Sequence, residues 1–422
     1  MQLDRRVTEH YEQRLPESRW DRKNSPVGNL KIVNNLMKRS LITEALSMLN
    51  QEKSQAIRIV DLCGGKGGDL KKYIHACGDS QRRIEYLLLD ISPSEVQRAK
   101  DRFSQLPVHE KALFDKATFL CADICDQTAL AHLSSQIANF LGTCDIVSCQ
   151  FALHYLCESE EKFRSFWKTV NLFAAQKQTS ILLLSYPSRK RVVEWCRHYA
   201  KQSGGVETLQ KMQPLDNALC GLRVTDATAL RTMASDKTVE NALQALPRYG
   251  VSYCFSLRGA IDDCPEFLVP ATIDLHSIAK EEAEFICRSE MTVDNCGVIA
   301  NNGSCSREKN CAQIAQQTIS ADEYQVCCLY QYAIYKKTPA DYEKTGNSSD
   351  IGGRPETTSQ STMHVDNAAN NAAQVDHNAT SKVAGDTKKA SRKRKKQTAE
   401  SEAQQQDVVK PRRSARLRAK KN

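Results

Sequence analysis

Short apolar runs alternate along the first half of the chain with longer segments in which apolar residues recur every three or four positions. The runs are apolar on both faces, which is typical of strands in a parallel sheet covered by helices on both sides. The pattern therefore predicts an α/β fold with a doubly wound, mostly parallel sheet. Strands are predicted at residues 57–62, 84–89, 118–121, 145–149, 181–184 and 326–335, and helices at 94–103, 128–141 and 160–174.

The composition argues against two classes of protein. Apolar residues make up 41% of the chain, yet no apolar run reaches the length of a membrane span, so we expect no membrane association. The first residues are charged and no apolar stretch follows them, which argues against a secretory signal. The 17 cysteines are scattered and odd in number, so we expect reduced thiols in an intracellular protein.

Basic charge is concentrated in the last 82 residues of the chain. Residues 341–422 contain 17 Lys or Arg and 10 Asp or Glu, whereas residues 1–340 contain 42 and 40. Residues 341–387 have almost no large apolar side chains, so we expect a disordered linker there. Residues 388–422, with 14 basic and three acidic side chains, form a polybasic tail. Such a tail either is simply solvated or serves nuclear import and phosphate attraction.

A glycine-rich loop with the sequence DLCGGKGGD, at residues 61–69, ends the first predicted strand and leads into a helix. Glycines at such a turn let a ligand approach the backbone, and the next helix directs free N–H groups toward an anion. A P-loop would need Ser or Thr after Lys66, and a dinucleotide site would need G-x-G-x-x-G; neither pattern is present. A tight turn without a ligand and a site for S-adenosylmethionine (SAM) both remain open.

Acidic residues end three successive predicted strands, namely Asp61, Asp90 and Asp123. The carboxyl ends of parallel strands meet at one edge of a sheet, which is where ligands bind in such folds. A carboxylate at the position of Asp90 can accept hydrogen bonds from both hydroxyls of a ribose. One such Asp is often only a helix cap, but three in order favour a SAM site.

The chain resembles the mRNA cap guanine-N7 methyltransferases over roughly residues 10–336. The resemblance is carried by NNLMK at 34–38, the glycine loop, DIS at 90–92, DIVSCQF at 145–151 with HY at 154–155, CPEFLV at 264–269, and Tyr330. It implies a Rossmann-like SAM methyltransferase domain at 1–340, with an inserted cap-binding subdomain at about 205–320. Cys63 departs from the family, which usually has glycine at that position.

The resemblance implies a set of residues that bind the cofactor SAM. Lys38 is a cation suited to the methionine carboxylate, Asp90 suits the ribose, and Asp123 can accept from the adenine amino group. The full set is Lys38, Cys63 through its backbone, Asp90, Asp123, Gln150 and Tyr155. For Tyr155 a purely structural role as a core aromatic remains an alternative.

The resemblance also implies a set of residues that bind the cap, a guanosine joined to RNA through a triphosphate. Basic side chains offer charge for the phosphates, Glu266 can accept from the guanine N1–H and amino group, and Tyr330 can stack on the base. The set is Asn34, Asn35, Lys66, Lys72, Arg102, His154, Glu266 and Tyr330. Without the resemblance, Glu266 after Pro265 would be interpreted as an acid at a helix N-terminus.

The predicted function is methyl transfer from SAM to N7 of the cap guanosine of mRNA, by in-line displacement. We expect no general base and no metal, because N7 has a free lone pair and loses no proton. The three cysteines between residues 296 and 311 fit no standard zinc spacing. Expected partners are capped pre-mRNA and the capping or transcription machinery, in the nucleus. The alternatives are a SAM methyltransferase for another substrate, or a non-catalytic scaffold that binds RNA or chromatin.

Overall fold

The computed structural model describes residues 7–9, 12, 25–49, 55–78, 82–202, 219–235, 238–293 and 319–338, with the backbone alone at 199–202. The predicted linker at 341–387 and the polybasic tail at 388–422 lie outside the described residues, as do the cysteines between 296 and 311. In the part of the chain that is described, no helix is both long and apolar enough to cross a bilayer.

A seven-stranded sheet forms the centre of the fold, with the strand order β3-β2-β1-β4-β5-β10-β9. Neighbouring strands from β3 to β5 pair in parallel, and β10 alone runs antiparallel to both of its neighbours. The predicted doubly wound, mostly parallel sheet is therefore confirmed. The strands are β1 Ile57–Leu62, β2 Ile84–Asp90, β3 Phe114–Cys121, β4 Ile146–Gln150, β5 Ile181–Pro187, β9 Phe285–Met291 and β10 Tyr330–Lys337.

Helices cover both faces of this sheet, and each face has its own apolar core. One core contains Ile59, Leu88 and Ile146 of the sheet, and the other contains Val60, Leu87 and Val147. Alternate residues of each strand thus enter opposite cores, as the apolar runs predicted. The larger helices are α1 Gly28–Ser47, α2 Leu70–Gly78, α3 Pro93–Ser104, α7 Glu160–Ala174, α8 Arg189–Gln202 and α11 Thr272–Ala283. The shorter ones are α4 Val108–Lys111, α5 Gln127–His132, α6 Ser134–Ile137, α9 Ala227–Ser235, α10 Val239–Ala245 and α12 Ala321–Cys328.

A second, antiparallel sheet lies within the range where an insertion is predicted. It has the strand order β6-β7-β8, with β6 Cys220–Val224, β7 Ser252–Leu257 and β8 Ile261–Phe267. Because β8 is an edge strand, it tolerates Pro265, which has no N–H to donate. Later in the same range, β9 pairs with β10 in the main sheet. The exact limits of the insertion stay a prediction.

Two sequence predictions differ from the structure. The helix expected at 128–141 divides into α5, α6 and a 3₁₀ turn at Ala138–Phe140. The break falls at Ser134 and Ser135, and serine favours caps and turns over helix interiors. The strand expected at 326–335 is wrong in its first part, because α12 occupies residues up to Cys328. A capping box fixes the start of α12: Ser320 Oγ accepts from Glu323 N, and Glu323 Oε2 accepts from Ser320 N.

Candidate functional site

The glycine loop turns sharply at the carboxyl end of β1, in conformations that L side chains rarely adopt. Gly65 and Gly67 have φ values of 51° and 66°, and Cys63 has a φ of 55°. At Gly64 a Cβ atom would lie 2.8 Å from the side chain of Leu88, so glycine is required there by space. The loop therefore lies directly against β2.

Asp90, at the end of β2, fixes the loop. Its Oδ2 accepts from Gly65 N at 2.7 Å, and its Oδ1 accepts from Ser92 N at 2.9 Å. Burial raises the pKa of Asp90, although these two backbone donors oppose the shift. The carboxylate thus stands inside the protein at the edge where β1 and β2 end. Because Asp90 is almost fully buried, a ligand hydroxyl that hydrogen-bonds to its carboxylate would displace few water molecules.

A cavity of about 280 Å³ opens between the glycine loop and the ends of β2 and β4. Every residue predicted to bind SAM lines it, which brings together side chains from α1, the loop and three strand ends. These residues are Lys38, Cys63, Asp90, Asp123, Gln150 and Tyr155. Lys66, predicted to bind the cap, lines the same cavity. The structure thus brings these residues together around one cavity. The role of each residue in binding stays a prediction.

Gln150 provides a test of whether this cavity fits a polar ligand. Its Nε2 donates to Ser148 Oγ at 3.2 Å. Its Oε1 is buried and meets no hydrogen-bond partner among the described residues. A buried polar atom without a partner is costly unless a ligand or water satisfies it. This unpaired oxygen therefore fits a cofactor that offers an amino or hydroxyl group as a hydrogen-bond donor.

Behind the loop, a buried charge network holds Lys38 in place. Asp69 accepts from Lys38 Nζ at 2.8 Å and pairs with Lys72 Nζ at 2.8 Å. Burial alone would raise the pKa of Asp69, but the two ammonium groups lower it. Nearby, Asp61 accepts from Tyr86 Oη at 2.6 Å, and burial raises the pKa of Asp61 to about 7. Sequence reasoning did not assign roles to Asp69 or Tyr86.

A second cavity, of about 250 Å³, adjoins the first. It is lined by five of the residues predicted to bind the cap, which come from α1, the turn after β4, β8 and the start of β10. They are Asn34, Asn35, His154, Glu266 and Tyr330. Lys38, Phe151 and Tyr155 line both cavities and form their common wall. Two ligands bound side by side would therefore meet at this wall.

The second cavity contains a buried acid and a buried histidine that are not an ion pair. His154 Nε2 lies 3.5 Å from Glu266 Oε1, and both side chains are about 4% exposed. Burial lowers the pKa of His154 to about 3 and raises the pKa of Glu266 to about 8. At neutral pH both groups are therefore largely uncharged. Neither ring nitrogen of His154 has a hydrogen-bond partner within the described chain, so the ring can serve a ligand.

Two residues predicted to bind the cap phosphates line neither cavity. Lys72 is buried, donates to Gly68 O at 2.9 Å and pairs with Asp69. The guanidinium of Arg102 donates to Gly67 O at 3.4 Å. Their geometry is that of groups that support the loop. Their predicted contact with phosphate stays a prediction.

Phe151 is a site residue that sequence reasoning quoted in a motif without giving it a role. It has a φ of 59°, and its N–H donates to Ser185 at 2.9 Å. Its ring packs edge-on against Tyr330 at 4.8 Å between centroids, and Lys38 Nζ lies 4.9 Å from its centre. A strained backbone at a ligand cavity is the kind of signal that only coordinates reveal.

Tyr253 is a second residue that the sequence did not single out. It lies opposite Glu266 in the register of β7 and β8 and is buried. Its hydroxyl opposes the effect of burial on the pKa of Glu266. Tyr253 therefore stabilises the charged form of Glu266.

Comparison with known proteins identifies relatives of one kind. The sequence model of the mRNA (guanine-N(7))-methyltransferase domain matches residues 1–338. The mRNA cap guanine-N(7) methyltransferase 1 of Arabidopsis thaliana is 26% identical over 345 residues, which cover 79% of this chain and 81% of the relative. The Caenorhabditis elegans and Saccharomyces cerevisiae mRNA cap guanine-N(7) methyltransferases are 26% and 28% identical. Each alignment covers 66% of this chain, but 64% and 56% of those relatives.

Among solved structures, the plantazolicin methyltransferase BpumL in complex with a triazolic desmethylPZN analog and SAH is similar at a TM-score of 0.38. The two sequences are 14% identical, and the match covers 80% of this chain and 98% of the other.

The buried acid predicts a pH-dependent stability. The folded protein holds the proton of Glu266 more tightly than the unfolded chain, so the stability this proton contributes is lost as pH rises from about 4.5 through about 8. We expect Glu266→Gln to melt higher than the parent at pH 8, by about 2–4 °C for each kcal/mol gained, and the gap to narrow at pH 5. Thermal melts at both pH values measure this, with exposed Glu240→Gln as the control. Equal gaps at the two pH values would contradict it.

The loop conformation predicts opposite outcomes for two neighbours. Cys63→Gly removes left-handed strain of about 1–2 kcal/mol but loses packing and chain stiffness, so the free energy of unfolding should change by less than about 1 kcal/mol. Gly64→Ala should destabilise by about 2 kcal/mol or more, because its Cβ meets Leu88 at 2.8 Å. Urea denaturation compares the two. A larger loss for Cys63→Gly would show that the turn is described wrongly.

Proposed function

The chain belongs to the mRNA (guanine-N(7))-methyltransferase family, and on this premise we propose that its two adjoining cavities hold the methyl donor and the guanine of the cap. The observation that carries this proposal is the wall that the cavities share, formed by Lys38, Phe151 and Tyr155. A donor in the first cavity and a base in the second would be neighbours at that wall. Transfer between them then needs no movement of either ligand across the protein.

SAM supplies a methyl group bound to a positively charged sulfur. In the first cavity, Lys38 would bind the methionine carboxylate and Asp90 would accept from the ribose hydroxyls. Asp69 keeps the Lys38 ammonium in position through their 2.8 Å contact. Gln150, whose Oε1 lacks a partner in the described chain, offers an acceptor to the amino group of the donor.

In the second cavity, the chain provides groups for a purine. Glu266 can accept from the N1–H and the exocyclic amine of guanine, and these donors favour its ionised form. His154, neutral at pH 7, offers one donor and one acceptor. Phe151 at the common wall, and Tyr330 packed against it, provide apolar ring surface for the base. Adenine lacks the N1–H and the 2-amino group that lie side by side on guanine, so the same carboxylate would disfavour it.

The chemistry places small demands on acid–base groups. N7 of guanine attacks with a lone pair and loses no proton, so the chain contributes by alignment and by electrostatics. Positive charge moves onto the guanine ring during transfer, and the carboxylate of Glu266 stabilises it in a site with little water. We assign no residue as a general base.

The non-catalytic alternative rested on Cys63 and on the segment 296–311, which matches no known motif. The loop geometry removes the first argument, and the segment lies outside the described residues. Cys63 adopts the left-handed conformation at φ 55° and lines the first cavity beside Asp90. The loop therefore keeps the turn that glycine would give. Family membership likewise favours the cap over an unrelated substrate.

We further propose that the protein acts in the nucleus, on capped pre-mRNA in contact with the capping or transcription machinery. The 14 basic side chains of residues 388–422 support this, since such clusters attract phosphate and are typical of nuclear import signals. These residues lie outside the described part of the chain.

A pair of substitutions tests the assignment of the two cavities. Asp90→Ala should weaken SAM binding by about 100-fold, through the loss of two charge-assisted hydrogen bonds. Glu266→Ala should leave SAM binding unchanged and lower methylation of a cap dinucleotide by about 100-fold. Calorimetry measures binding, and transfer of labelled methyl to the cap measures turnover.

The matched control for this pair is Asp262→Ala, which removes an exposed acid from the same strand as Glu266. It should change neither quantity. A product methylated at a position other than N7 would refute the proposed activity. A silent Glu266→Ala would refute the role of that acid alone.

Deletion of residues 388–422 tests the proposed role of the tail. The truncated protein should accumulate less in the nucleus and bind long RNA more weakly, with a shallower dependence on salt, because fewer phosphates are neutralised. Turnover on a cap dinucleotide should stay within about twofold, since the cavities are untouched. Fluorescence imaging, filter binding and the methyl-transfer assay provide the three measurements; unchanged nuclear accumulation would refute the import role.

A further inference from the structure

Strand β9 contains a bulge that brings two metal-binding residue types onto one face. Cys287 lies opposite Tyr335 and Ser289 lies opposite Ile334, so Arg288 is the extra residue in the β9–β10 ladder. Residues three apart in a regular strand point to opposite faces. Because of the bulge, Cys287 and Glu290 face the same side of the sheet.

A histidine from the helix packed on that side completes a cluster. His276 of α11 approaches with its Nε2 3.1 Å from Glu290 Oε1. One potential ligand atom from each of His276, Cys287 and Glu290 lies within 4.8 Å of the other two. All three side chains are half-buried, so an ion from solvent can reach them.

The surroundings hold this cluster in place through hydrogen bonds and packing. Gln331 Nε2 donates to Glu290 Oε1 at 2.6 Å, and Thr272 Oγ1 donates to Gln331 Oε1 at 3.2 Å. The ring of Tyr335 packs edge-on against the ring of His276, with 5.6 Å between centroids. The imidazole and the carboxylate are therefore already oriented by their neighbours, as the ligands of a metal site are.

We propose that His276, Cys287 and Glu290 bind a divalent transition metal ion, Zn²⁺ by its ligand preference, with water at the fourth position. An imidazole nitrogen, a thiolate sulfur and a carboxylate oxygen are the three protein ligand types of zinc sites. Ligands at zinc distances lie about 3.3–3.8 Å apart in a tetrahedron. His276 and Glu290 are already 3.1 Å apart, and no ligand atom is more than 4.8 Å from another, so Cys287 needs to move by at most about 1 Å. Mg²⁺ and Ca²⁺ prefer all-oxygen sites and do not match this set.

The ion would join α11 to β9, and hydrogen bonds of Gln331 already connect both of these elements to β10. His276 belongs to α11, which follows the strand carrying Glu266, and Gln331 adjoins Tyr330 in the sequence. Metal binding would therefore stabilise the outer edge of the sheet and the start of β10. The site lies apart from both cavities, so this inference stands whether or not the proposed methyl transfer is correct.

Cobalt substitution tests the site in the full-length protein. The protein is freed of metal with a chelator and titrated with Co²⁺, which gives intense near-ultraviolet charge-transfer absorption when a thiolate binds it, and visible bands when the site is tetrahedral. We expect saturation of this signal and its reversal by Zn²⁺. Cys287→Ser should abolish the charge-transfer absorption, and His276→Gln should weaken Zn²⁺ binding by about 100-fold or more.

Two control variants separate this site from other thiols. Cys121→Ser removes an exposed thiol elsewhere, and the triple variant C296S/C305S/C311S removes the cysteines outside the described residues. Both should keep the cobalt signal. The proposal is overturned if the parent shows no thiolate signal, if the signal survives Cys287→Ser, or if only the triple variant loses it. Melting of each variant without metal verifies folding, and the Zn²⁺-dependent rise in melting temperature should vanish in His276→Gln.

Discussion

The ion pair between Lys38 and Asp69 is the contact on which the arrangement of the site depends. Lys38 belongs to α1 and Asp69 to the glycine loop, so their 2.8 Å contact joins the two elements that enclose the first cavity. The same lysine lines the second cavity, which means that one buried contact sets the position of the common wall. Asp69 is nearly inaccessible and also pairs with Lys72. Removing Asp69 would leave the ammonium groups of Lys38 and Lys72 without the carboxylate that both of them pair with, so this acid is strongly constrained.

The second cavity is organised on the opposite principle, because its buried polar groups are not neutralised by an ion pair and the ring of His154 has no hydrogen-bond partner within the described chain. Glu266 and His154 are buried, and burial moves both pKa values toward the neutral forms. Groups in that condition cost stability in the free protein. A guanine edge that satisfies the carboxylate would recover this cost on binding. The site therefore exchanges stability of the unliganded fold for selectivity toward a ligand with two adjacent donors, whereas the Lys38–Asp69 pair keeps the frame rigid.

The central fold and much of the site could be predicted from the sequence because their signals are local. Helix α7 begins and ends where predicted, since Ser159 caps it and two acids occupy its first turn. The loop at 61–69 and Asp90 were found from their place after buried strands. Lys72 was different: its charge suggested phosphate, but only the fold shows it buried against Asp69. Tyr253 gave no signal either, because its relation to Glu266 depends on the register of two strands.

The His276–Cys287–Glu290 cluster shows the same limit more sharply. Strand patterns are analysed with a period of two, and under that rule Cys287 and Glu290 point to opposite faces. The extra residue Arg288 interrupts this alternation, so Cys287 and Glu290 face the same side of the sheet. A bulge cannot be recognised reliably from a single sequence. His276 then arrives from a helix whose path is set by packing in the core that also contains Tyr335. Long-range register therefore decides which chemical groups meet, and spacing along the chain misses such a site even where it correctly places the strands.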